Sequence, residues 1–150
     1  TFVTIDRDRD NKRGFWVRDG MLELWLRFLA LHVEDPTEPG SAASEIRDQW
    51  LLASRGYFGG CVPHGLAEAF ATSEGQAVVR KAVGSLLAAL NEAPPHIDRD
   101  VLNLMGFSDG PFTRNVETRR LIEVGEAFLA LLDGRITTGP CDTSFMPGCG

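Results

Sequence analysis

Long apolar runs are missing from this 150-residue chain. A membrane-crossing helix needs roughly 18 or more consecutive apolar residues. The most apolar stretch, from Met21 to Val33, is broken by Glu23, Arg27 and His32. It reads as an amphipathic helix, and no membrane association is expected. Cysteine is scarce and odd in number, with Cys61, Cys141 and Cys149 alone. Small secreted folds held by disulfides carry more cysteines, in even counts. A reduced, cytoplasmic protein is the simpler expectation, although Cys141 and Cys149 are close enough in sequence to bridge. The chain opens on Thr1 rather than Met, which leaves room for a targeting segment ahead of it. Positive charge is short as well. Lys and Arg total 15 against 21 Asp and Glu, for a net charge of −6. Proteins that hold nucleic-acid phosphates usually carry a basic stripe, so nucleic acid is not an expected partner. An acidic surface suits solubility and attraction to a basic protein.

Signatures of common chemistries are also missing. Gly56-x-x-Gly59-Gly60 lacks the lysine and hydroxyl of a phosphate-binding loop. No G-x-S-x-G nucleophile turn and no Glu-x-x-His metal pair occurs. Asp6-Arg-Asp8-Arg-Asp10 starts like a calcium loop, but Asn11 and Val17 stand where such a loop needs Gly and Glu. A solvated turn is expected there.

What is present specifies a helical domain. A chain of this length suits one domain and buries about 68–70% of its unfolded surface. Thr1–Ile5 alternates in the manner of a strand, and Gly14–Val17 offers a return strand, which suggests a small N-terminal β-hairpin. Six later segments read as helices, most of them from apolar residues recurring at helical spacing. Leu22, Trp25, Leu26, Leu29 and Val33 mark a first helix from about Asp19 to Val33, with Asp19 as its cap and Met21, Leu24, Phe28 and Leu31 widening its apolar surface. Ile46, Trp50 and Ala53 mark a second helix from about Ala42, capped by Ser41 or Ser44 and closed by Gly56. Pro63 suits the start of a short helix through Leu66, Ala67 and Phe70. Ser73-Glu74-Gly75-Gln76 reads as a capping box that opens a long helix to about Asn91, stopped by Pro94-Pro95. A short helix follows near Asp98–Met105, and a last long one from about Asn115 to Leu132, closed by Gly134. The expectation is a mainly α fold, a compact irregular bundle of about four main helices plus two short ones. Residues 1–136 form the domain, and residues 137–150, rich in Gly, Pro, Ser and Thr, read as a flexible tail.

One segment breaks the pattern. Tyr57-Phe58-Gly59-Gly60-Cys61-Val62-Pro63-His64 gathers two aromatics, two glycines, a cysteine, a proline and a histidine. Tyr57 and Phe58 are the aromatic type enriched at interfaces, and with His64 they are the candidate partner-binding residues. Cys61 and His64 also suggest a thiol activated by an imidazole, with Glu68 or Asp48 to orient the ring. Cys61-x-x-His64 is one isolated ligand pair. Cys141, Cys149, His32 and His96 do not supply the second close pair that a zinc site usually shows, so no metal is expected. The carboxylate pairs Glu45/Asp48 and Glu123/Glu126 read as surface charge. Arg114, Arg119 and Arg120 interleave with Glu117 and Glu123 as a helix salt-bridge network.

With enzyme signatures missing, the sequence points to a non-enzymatic protein-binding module without a cofactor. Intracellular inhibitors and toxin-neutralising immunity proteins that bind a basic partner are the matching class. A small cysteine-dependent enzyme using Cys61 and His64 is the alternative.

Overall fold

The computed structural model describes residues 1–8, 10, 12–34, 38–56, 60–106 and 111–149. Among these the fold is mainly helical, with six helices and a short hairpin. The strands β1 (Phe2–Thr4) and β2 (Gly14–Trp16) pair antiparallel. Phe2 lies opposite Trp16, Val3 opposite Phe15 and Thr4 opposite Gly14. The period of two divides the hairpin cleanly. Val3 and Phe15 are fully buried, and Phe15 meets Phe128 edge-on at 5.6 Å. Phe2 and Trp16 take the other face, 5.5 Å apart.

The central helix is α1 (Asp19–Leu31), which packs against α2 (Ala42–Ala53), α4 (Ser73–Glu92) and α6 (Thr118–Leu132). Its expected stripe of Leu22, Trp25, Leu26 and Leu29 is buried, and Leu24 and Ala30 add a second buried side. Leu31 instead faces solvent at 65% exposure, although Ala30 and Val33 around it are buried. The short helices are α3 (Leu66–Ala69), against α4 and β1, and α5 (Arg99–Leu104). Val79, Val83, Leu86, Leu87 and Leu90 of α4 face the core, as do Leu121, Val124, Phe128, Leu131 and Leu132 of α6. No helix among the described residues is long and apolar enough to cross a membrane.

Three helix starts differ from the sequence reading. Asp19 is the first residue of α1, not its cap, and Arg18 in the cap position makes no side-chain capping bond. The Asp19 carboxylate is taken by Thr1, whose amine and hydroxyl both donate to it at 2.6 Å. Helix α4 is capped by Thr72, which accepts the Gly75 N–H at 3.0 Å, and Ser73 is already helical. Gln76 turns away from the helix start and donates to the Phe70 carbonyl at 2.9 Å. Helix α6 starts at Thr118 rather than near Asn115, because Val116 and Glu117 (β4) pair antiparallel with His96 and Ile97 (β3).

The segment read as a flexible tail makes specific contacts. The Thr138 carbonyl accepts the Gly14 N–H at 2.9 Å, and the Thr138 hydroxyl donates back to the Gly14 carbonyl. Trp16 Nε1 donates to the Pro140 carbonyl at 2.9 Å. Phe145 stacks edge-on to Phe15 at 6.2 Å, and Pro147 and Gly148 are buried.

Candidate functional site

The second half of the odd loop is held on two sides. From α2, Gln49 Nε2 donates to the Pro63 carbonyl at 2.7 Å, and Trp50 Nε1 donates to the His64 carbonyl at 3.2 Å. From the hairpin side, the Thr1 hydroxyl accepts the Val62 N–H at 2.7 Å. Gly65 completes the turn at φ +64°, where an added Cβ would lie 2.9 Å from Gln49 Cγ. Left-handed backbone and close approach both favour glycine there.

His64 acts as a hinge pin between the loop and its neighbours. Its Nδ1 accepts the Leu66 N–H, at the first turn of α3, at 3.2 Å. Accepting at Nδ1 places the neutral ring's proton on Nε2, which faces the Phe2 carbonyl at 3.4 Å. Burial pushes the imidazole's pKa below its ordinary value. The Phe2 contact and the charge of Glu68 raise it in part, and Lys12 and the N-terminal amine lower it.

Cys61 is exposed beside this histidine. Cys61, His64 and Glu68 line the same two cavities, so the fold does bring the residues of the enzymatic alternative together. The hydrogen bonding does not join them. Both ring nitrogens face backbone groups, and no hydrogen bond links Cys61 to the ring. Asp48, the other candidate orienting group, lies near Arg47 at 3.6 Å. Tyr57 and Phe58, the expected aromatic anchors, lie outside the described residues.

The larger cavity, about 980 Å³, opens between this loop and the starts of α2, α3 and α4. Its floor includes Ile46, Trp50, Val62 and Ala69. Glu45, Glu68 and Glu74 stand around it, one from the first turn of each helix. Acidic residues are stabilising in a first turn because the helix dipole is positive there. Each glutamate therefore has a local reason for its place, while the convergence of three helix starts makes the cleft acidic. All three side chains are exposed, and none forms an ion pair among the described residues. Among the described residues, Lys12 is the one lysine or arginine on the lining.

No family model, curated protein or solved structure matches this chain.

The remaining sequence candidates lie elsewhere. His32 Nδ1 is 2.9 Å from Ser85 Oγ, and His96 is in β3. No group of three or more His, Cys, Asp or Glu among the described residues is placed to hold a metal ion. Asp6 accepts the Arg13 N–H at 2.8 Å, and Asp8 accepts the Asp10 N–H at 3.1 Å, a local turn. Arg119 and Arg120 pair along α6 with Glu123 and Glu117 at 3.2 and 4.0 Å. Sequence reading missed Glu45 and Glu74 as cleft residues. Each follows a helix cap, which is the only local signal they carry.

Proposed function

We propose that this chain is a non-enzymatic protein-binding module that holds a basic segment of a partner protein in the acidic cleft. Intracellular inhibitors and toxin-neutralising immunity proteins, which act by binding another protein, are the class expected from sequence. The observation that supports the reading is the trio Glu45, Glu68 and Glu74 around an apolar floor, with no ion pair to neutralise them among the described residues. A lysine or arginine side chain matches such a cleft, since its stem covers apolar surface while its head meets the carboxylates. The net charge of −6 would speed the encounter with a basic protein.

The test compares the wild-type chain with Glu45→Gln/Glu68→Gln/Glu74→Gln as bait in lysate of the source cell. The reading expects one stoichiometric basic protein on the wild type, weakened by salt and lost from the triple variant. Equal capture by both baits, or a captured protein that is not basic, overturns it.

A further inference from the structure

A second cavity, about 510 Å³, adjoins the acidic cleft on the hairpin side. The two share Lys12, Cys61, Val62, His64 and Glu68 as lining residues. They thus meet along a common wall made by Lys12, the Cys61–His64 segment and Glu68 of α3. The far wall of the second cavity is aromatic, formed by Phe2 and Trp16 on the outward face of the hairpin. This wall is rigid. The Trp16 indole is fixed by its bond to the Pro140 carbonyl, and the two rings lie 5.5 Å apart at 59°. Trp25 and Trp50 are buried at 0% and 1% exposure, which leaves Trp16 as the tryptophan a ligand can touch most openly. Arg7 and Lys12 line this half and offset the carboxylates of Asp6 and Glu68, so it lacks the acidic excess of the first cavity. An apolar or aromatic side chain is the chemistry its wall accepts.

We infer that the two cavities form one groove for an extended segment of the basic partner. A lysine or arginine sits among Glu45, Glu68 and Glu74, an apolar residue packs on Phe2 and Trp16, and the segment crosses Cys61 between them. The inference rests on the reading of the acidic cleft as the partner site. It adds the second contact, the path and the extended form of the ligand.

Capped peptides test it directly. The probes are an acetylated, amidated lysine hexapeptide and the same peptide with leucine at each position in turn. The protein carries Cys141→Ser and Cys149→Ser, so that iodoacetamide reports on Cys61 alone. Some leucine peptide should bind roughly tenfold tighter than the all-lysine one, the gain expected for burying such a side chain. It should also slow Cys61 alkylation in proportion to occupancy. Trp16→Ala should erase the leucine gain and leave lysine-hexapeptide affinity in place, whereas Glu45→Gln/Glu74→Gln should weaken every peptide. The protection of Cys61 is read on the unaltered groove, so it stands even if Trp16→Ala misfolds. If peptides bind and the glutamine variant weakens them, but leucine adds nothing and Cys61 alkylates unchanged, the groove is refuted and the acidic cleft survives. If no peptide binds at millimolar concentration, both readings fall.

Discussion

The ring of His64 accepts the backbone N–H of Leu66 at 3.2 Å, and this bond ties the protein's stability to pH. Protonating Nδ1 replaces the acceptor with a second N–H facing Leu66. Burial holds the folded pKa below the ordinary histidine value, against the opposing pull of Glu68 and the Phe2 carbonyl, with Lys12 and the N-terminal amine adding to the depression. The unfolded chain therefore binds more protons than the folded one in that window. The His64 contribution is fully present above about pH 6.5 and is lost as pH falls toward the folded pKa. His32 is lowered by burial too and adds a slope of the same sign. Denaturant melts between pH 7.5 and 5 should show stability falling, with a shallower fall in His64→Asn. Asparagine keeps an acceptor near Nδ1 but does not titrate. An equal slope in both proteins would refute the assignment.

The same two hydrogen bonds carry a prediction for Cys61. If His64 does not serve the thiol as a base, iodoacetamide should modify Cys61 at the same rate in the wild type and in His64→Asn. A drop of about tenfold or more in the variant would revive the cysteine-enzyme reading.

Gly125 fixes how closely α6 approaches the core. A Cβ there would lie 2.5 Å from Leu87 Cδ2 and 2.6 Å from Trp25 Cη2. In an open helix, Gly→Ala would stabilise by about 1 kcal/mol. Here overpacking against a buried indole outweighs that gain, and Gly125→Ala should lose about 1–3 kcal/mol by chemical denaturation. Gly84, with nothing within 4 Å of its added Cβ, is the control and should gain stability as alanine.

Arg27 closes two helix ends at once. Its Nε donates to Ser54 Oγ at 2.8 Å, and its Nη1 donates to the Met105 carbonyl at 3.2 Å. Ser54 and Met105 are the C-terminal caps of α2 and α5, where positive charge is favoured. Arg27→Lys keeps the charge but not the planar fork. It should cost about 1–2 kcal/mol, with faster amide exchange at the end of α5. Loss confined to global stability, with no local change in exchange, would argue against the bridging role.

Much of the fold was legible because it is periodic. The stripes Leu22–Trp25–Leu26–Leu29 and Val79–Val83–Leu86–Leu87–Leu90 are single helix faces, and such faces must be buried. The start of α4 was misread by one residue because Thr72 and Ser73 are both cap types, and only the backbone shows which one leaves the helix. Thr72→Ala should cost about 1 kcal/mol, and Ser73→Ala much less. The pairing of His96–Ile97 with Val116–Glu117 was invisible, since two residues carry no period. The cleft was invisible for another reason. Lys12, Glu45, His64 and Glu74 come from four separate segments, and only tertiary packing gathers them. Of the odd loop, Cys61 and His64 line the cleft, while Tyr57 and Phe58 lie outside the described residues.

The contact between Thr138 and Gly14 spans 124 positions and completes the hairpin's outer edge. During synthesis, that edge stays open until Thr138, 124 positions later, has left the ribosome. Until then the outer side of β2 offers unpaired backbone groups to any neighbouring chain, so crowding of nascent copies is a route to misassembly.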